Sequence, residues 1–133
     1  MAVRSLQEPT FLILTALAAG PQHGYGIISD VERISDRHVR LRAGTLYAAL
    51  DRLEGEGFVE LDREEVVQGR LRRYYKLTAA GAQRLSAEIH RLRRHANAAS
   101  RRLRAGGSPV YGLSDEALSL GANDQERLAG DEF

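Results

Sequence analysis

Residues 42–59, R-A-G-T-L-Y-A-A-L-D-R-L-E-G-E-G-F-V, constrain the fold more than any other stretch of the chain. Leu46, Leu50 and Leu53 recur at i, i+4 and i+7, the stripe a helix buries against a core. The opposite face carries Arg42, Thr45, Ala48 and Arg52, with Tyr47 at the boundary. That face is basic and built of small side chains, so it can come close to a phosphate backbone. Gly55 and Gly57 end the helix, and Phe58-Val59-Glu60-Leu61 then switches to a period of two.

The outgoing strand is expected over residues 58–67, with Gln68-Gly69-Arg70 as a turn in which Gly69 takes a positive φ. The return strand covers 71–77, with Leu71, Arg73, Tyr75 and Leu77 on one face and Arg72, Tyr74 and Lys76 on the other. Whichever face turns inward, Arg70, Arg72 and Arg73 cluster positive charge beside the turn. Ahead of this unit, residues 24–35 read as a helix with Ile27, Ile28, Val31 and Ile34 inward and Asp30, Glu32 and Arg33 outward. The connection from that helix to the 42–56 helix is longer than the ~3–4 residues of a strict helix-turn-helix. Two helices followed by a charged hairpin outline a winged helix-turn-helix, a mainly α fold with a small β-hairpin (α+β). The pattern implies a chain that binds duplex DNA.

A first helix is expected over residues 8–19, with Pro9 in its first turn, where no amide hydrogen bond is lost. Phe11, Leu12, Leu14, Leu17 and Ala18 make it apolar around most of its circumference, which implies cover from a partner subunit. Thr78 is a suitable N-cap for a last helix over 79–105. There Ala82, Leu85, Ile89, Leu92, Ala96, Ala99 and Leu103 alternate spacings of three and four, a heptad seam. Such a seam needs a second helix, most simply the same helix of another copy. The expected dimerisation residues are Phe11, Leu14, Leu85, Ile89, Leu92, Ala96, Ala99 and Leu103. The chain therefore divides into a DNA-binding domain (1–78), a dimerisation helix (79–105) and a tail (106–133).

The net charge of +1 hides a segregation. Residues 1–104 hold 18 basic and 12 acidic side chains, whereas residues 105–133 hold one and six. A basic body with an acidic tail suits a polyanion-binding domain, because arginine and lysine replace the counterions around phosphates. The absence of cysteine excludes disulfides, thiolate metal sites and cysteine nucleophiles. His23, His38, His90 and His95 lack the spacing of a ligand set, so no metal or cofactor is expected. With no glycine-rich phosphate loop and no Ser-His-Asp context, an enzyme is not expected either. The longest apolar run, residues 11–19, is far short of the ~20 needed to span a bilayer. The N-terminal residues lack the pattern of a signal peptide, so a cytoplasmic protein without membrane contact is expected.

The chain resembles the PadR-type transcriptional regulators over about residues 6–104. The motifs that carry the likeness are Thr10-Phe11-Leu12-Ile13-Leu14, His23-Gly24-Tyr25-Gly26-Ile27, Gly44-Thr45-Leu46-Tyr47-Ala48-Ala49-Leu50, Arg52-Leu53-Glu54-Gly55-Glu56-Gly57-Phe58-Val59 and Arg73-Tyr74-Tyr75-Lys76-Leu77-Thr78-Ala79-Ala80-Gly81. The resemblance implies a homodimeric repressor with two recognition helices and two wings on an inverted-repeat operator. It also implies, for some members, release of DNA by a small aromatic or drug-like effector bound near the dimer interface. Two positions depart from the family pattern. Ala48 stands where members often have proline, and the last helix lacks the tryptophan that drug-sensing members use.

The candidate DNA contacts are Arg42, Thr45, Tyr47, Ala48 and Arg52 on the recognition helix, Arg70, Arg72 and Arg73 in the wing, and Tyr25 at the start of the preceding helix. Each has a plainer alternative. Tyr47 and Tyr25 can serve as packing residues, and Arg42 and Arg52 can pair with Asp51, Glu54 or Glu56. The wing arginines can simply keep a strand edge from aggregating. His23 reads as a capping residue. A rival reading is a protein-interaction module that keeps the winged helix without binding DNA, but such a module has no need of three arginines around one turn.

Overall fold

The computed structural model describes residues 5–107; most of the acidic tail expected over 106–133 lies outside them. The order of elements is α1 (Glu8–Ala18), β1 (Gln22–His23), α2 (Gly24–Ile34), α3 (Ala43–Gly55), β2 (Val59–Val67), β3 (Arg70–Leu77) and α4 (Ala79–Ala105). The three strands form one antiparallel sheet in the order β1-β3-β2. This is the α+β winged helix-turn-helix that the patterning implies. By compactness the chain separates into residues 1–88 and residues 89 onward.

Within the first unit, α1 packs against α2 and β3, while α3 packs against α2 and β2. Ile13, Leu14, Ile27, Val31, Leu46, Leu50, Leu53 and Val59 are sealed from solvent, so the leucine stripe of α3 faces inward as its spacing requires. Thr78 closes the unit. Its hydroxyl accepts from the Gly81 amide at 3.0 Å, capping α4, and donates to the Gly57 carbonyl at 2.6 Å. Glu88, the lone acid of α4, is only 2 % exposed. It accepts from the Leu6 amide at 3.2 Å and faces Arg84 at 3.6 Å, which ties the segment before α1 to α4.

Several expectations change. Leu14 and Leu85 lie inside the protomer's own core, so neither presents a surface to a second copy. Most of α1 is covered in the same way, because α2 and β3 take up two of its sides. Phe11 and Ile89 stay half-buried, Leu92 and Leu103 are 40 % and 46 % exposed, and Ala96 and Ala99 are exposed. Of the expected seam, Leu85 is taken up by the protomer itself, while Ala82 and the residues from Ile89 onward keep exposed or half-buried surface. Asp30, expected outward, is buried because the side chains of Gln22 (3.1 Å) and Arg33 satisfy its carboxylate.

The hairpin differs in two details. Its turn is the dipeptide Gln68-Gly69, with φ of 52° and 78°, and Arg70 already opens β3 opposite Val67. Positive φ at both central residues is the two-residue turn that matches strand twist, and glycine adopts it without strain. In β2, Leu61 faces Tyr75 while Arg63 faces Tyr74, which leaves Asp62 as an extra residue in a bulge.

Candidate nucleic-acid interface

β1 stops after pairing with Tyr74 and Tyr75, so the edge of β3 from Arg70 to Arg73 has no strand beside it. That open edge lines a groove of about 500 Å³ whose other wall is the start of α2 together with Tyr47 of α3. The groove brings together Tyr25, Tyr47, Arg70, Arg72 and Arg73, five of the nine candidate DNA contacts, and adds His23. Tyr25 is 75 % exposed and Tyr47 43 % exposed, so both aromatic rings meet solvent at the groove wall. Arg42, Thr45 and Ala48 are also exposed, on the first turns of α3 outside the groove lining.

The three wing arginines do not act alike. Arg73 pairs with Glu64 across the hairpin at 3.1 Å. Lys76 and Arg63 are likewise answered by Asp62, at 3.7 and 3.0 Å, and Arg63 also stacks over Tyr74 at 3.9 Å. The acids of β2 thus neutralise the far side of the wing. Arg70 and Arg72 have no ion-pair partner among the described residues. Two uncompensated guanidiniums on one rim are an arrangement that an anion relieves. Nearby, Arg42 caps α3 with its backbone alone, so the first-turn amides of that helix are not occupied by a capping side chain.

His23 holds the start of α2. Its Nδ1 accepts from the Gly26 amide at 3.3 Å, and its ring stands edge-on to Tyr74 with centroids 5.3 Å apart. Burial, and secondarily the nearby Arg72 guanidinium, hold its pKa below the ordinary 6.5, against an upward pull from Glu65. The neutral ring is the form the cap requires, since a protonated Nδ1 cannot accept. A depressed histidine pKa stabilises the fold above the unfolded value, and that contribution is lost as pH falls below it. His23→Asn keeps a capping acceptor without a titrating ring. The variant should therefore lose less stability than the parent between about pH 7 and about pH 5. Superimposable acid profiles in denaturant melts would contradict this role.

Tyr47 explains why Gly24 is glycine. A Cβ at Gly24 would run into the Tyr47 hydroxyl, and its carbon Cζ would lie 2.9 Å away. Tyr47 is therefore both the packing residue and the exposed phenol of the two alternatives. Because the obstacle is the far end of one side chain, Gly24→Ala should fold with a stability loss of about 1 kcal/mol or less. It should nonetheless displace the ring from the groove, read as a change in Tyr47 ring NMR shifts with an unchanged core. Unmoved ring resonances would show that the two residues do not touch in solution.

The structure gives Arg52 a partner inside the protein: its Nη2 donates to Thr10 Oγ1 at 3.0 Å. The residues that sequence patterning missed are Thr10, Gly24 and the groove role of His23. Only the Gly-Tyr-Gly run at the start of α2 signals any of them, as a place where another chain segment comes close.

Among the described residues no helix is long and apolar enough to cross a membrane, and no cluster of potential ligands has metal-site geometry. Comparison with known proteins agrees with this architecture. The profile of the Transcriptional regulator PadR-like family matches residues 13–87. An uncharacterized 37.1 kDa protein of a Streptomyces fradiae transposon is 43% identical over 87 residues, 65% of this chain but 24% of that protein. Transcriptional regulator Rv3488 of Mycobacterium tuberculosis is 38% identical over 69 residues, 52% of this chain and 61% of that one. The matches thus span less than two thirds of either relative. Among solved structures, a PadR family transcription regulator of Clostridium difficile aligns with a TM-score of 0.60 and 25% identity, over 73% of this chain and 99% of its own. Bacillus subtilis PadR in complex with operator DNA aligns with a TM-score of 0.56 and 25% identity, over 62% of this chain and 47% of its own. By its sequence and its fold, the chain belongs to the PadR-like family of transcriptional regulators, which are not enzymes.

Proposed function

We propose that the chain is a homodimeric repressor that grips an inverted-repeat operator with one recognition helix and one wing per protomer. The observation that carries the reading is the pair Arg70 and Arg72, without ion-pair partners among the described residues, on a groove walled by Tyr25 and Tyr47. Phosphates seat in this groove, while Arg42, Thr45 and Ala48 on the exposed first turns of α3 approach base edges in the major groove. The operator-bound B. subtilis relative supports the same use of the fold. Ile89, Leu92, Ala96, Ala99 and Leu103 of α4 are offered to a second copy, and so, separately, is Phe11 of α1. The reading also places the regulator in the cytoplasm, consistent with its family. The reading includes release of the operator by a small aromatic or drug-like effector, tested by adding aromatic acids and planar cationic dyes to the preformed complex.

Selection from a random duplex library followed by footprinting tests the core of the reading. It predicts an enriched inverted repeat with two protected half-sites about one helical turn, or a multiple of it, apart. Failure to enrich any duplex, with binding indifferent to salt, would favour a protein-interaction module instead.

A further inference from the structure

The groove accounts for Tyr25, Tyr47, Arg70 and Arg72 but leaves Arg52 with a different task. Arg52 sits in the last turn of α3, seven residues beyond Thr45, which is about 10 Å along the helix axis. Recognition helices read bases chiefly through their N-terminal residues, so this position is at the wrong end for a base contact. Its guanidinium instead reaches Thr10, the third residue of α1 and 42 positions earlier in the chain. Thr10 is 8 % exposed, and its hydroxyl accepts from Arg52 at 3.0 Å. A buried hydroxyl stripped of that donor is left unsatisfied, which gives the bond a cost of rupture.

We infer that Arg52 is a positioning residue for DNA reading: its bond to Thr10 fixes how far α3 is rotated about its own axis. α3 packs chiefly on α2 and β2, and the bond adds a tie to α1. The tie matters because side-chain tips lie roughly 6 Å from a helix axis, so a 20° roll, taken as about that size, moves them by about 2 Å. A displacement of that size breaks a hydrogen bond from Arg42 or Thr45 to a base edge. A cation in the last turn also suits the helix dipole, so Arg52 has reason to be there without DNA.

The inference rests on the DNA-binding reading, and the test separates the two. Thr10→Val removes the acceptor at nearly constant shape, Thr10→Ser retains it, and Arg52→Ala removes the donor. Affinity for a duplex selected by the wild-type chain is measured as a function of salt. Thr10→Val and Arg52→Ala should each weaken binding by roughly fivefold, with no further loss in the double variant and no change in salt slope. Thr10→Ser should bind like the parent. A slope shallower by about 0.9 in Arg52→Ala, with Thr10→Val unaffected, would make Arg52 a phosphate contact and overturn the inference. Amide NMR spectra without DNA give the independent arm: Thr10→Val should shift resonances along α3, and shifts confined to α1 would also overturn it. A wild-type chain that binds no duplex, while Thr10→Val still moves α3, would remove the DNA reading and keep the tie.

Discussion

Arg70→Ala combined with Arg72→Ala should weaken binding to every duplex by roughly ten- to a hundredfold, irrespective of sequence. The uniformity is the diagnostic part. Both side chains line the groove without an internal counter-charge, so phosphate is their natural partner. Each lost phosphate contact lowers the slope of log affinity against log salt by about 0.9, so the pair should remove about 1.8. Arg73→Ala is the internal comparison, because Glu64 already holds that guanidinium at 3.1 Å. With its charge already answered by Glu64, Arg73 offers less to phosphate, so its removal should alter affinity by no more than about fivefold, about 1 kcal/mol. All three arginines line the groove, so if the Arg73 variant lost as much as the double variant, the pairing with Glu64 would not set Arg73 apart from Arg70 and Arg72.

The largest effect on stability is expected from Gly81→Ala. Alanine in place of glycine inside a helix normally stabilises by about 1 kcal/mol. At Gly81 the sign reverses, because a Cβ there would collide with the backbone carbonyl oxygen of Phe58 and lie 2.9 Å from a methyl of Leu77. A backbone carbonyl cannot swing aside as the Tyr47 ring can. Relief requires separating α4 from the start of β2, where the Thr78 hydroxyl also bonds Gly57. The net loss should be roughly 3 kcal/mol, seen as a Tm lower by roughly 10 °C or more. A Tm equal to or above the parent's would mean that α4 does not approach Phe58 this closely.

The four helices were legible in the letters because each has a strong local signal. α3 has its leucine stripe between Arg42 and Gly55, α2 its capping histidine, and α4 its threonine cap and heptad spacing. The elements that escaped are those that local signals do not carry. β1 is two residues long and exists only because β3 offers it an edge. The bulge at Asp62 breaks the alternation of β2 and is fixed by pairing with β3 rather than by its own sequence. The same limit applied to burial. Leu14 and Leu85 read as surface for a partner because periodicity tells which residues share a face, not which neighbour covers it. Asp30 read as outward because its partner, Gln22, arrives from another element.

For the site, the cluster of arginine around Gly69 was visible in the sequence, but its division was not. Glu64 and Glu65 lie on β2, and only the register decides that Glu64 faces Arg73 while Glu65 faces Arg72. Glu65 then accepts from the Tyr74 hydroxyl at 2.7 Å and forms its ion pair with Arg63 at 3.8 Å, which leaves Arg72 to the groove. Likewise, the phenol of Tyr47 against Gly24 joins two helices that no local pattern links.

Duplex phosphates should occupy the groove between the wing edge, the start of α2 and Tyr47 of α3. Titrating a ¹⁵N-labelled chain with a short duplex tests it most directly. Amide and guanidinium shifts should concentrate at Tyr25, Thr45, Tyr47, Arg70 and Arg72, and added salt should reverse them. Shifts that avoid these residues, or that gather on the exposed face of α4, would contradict it.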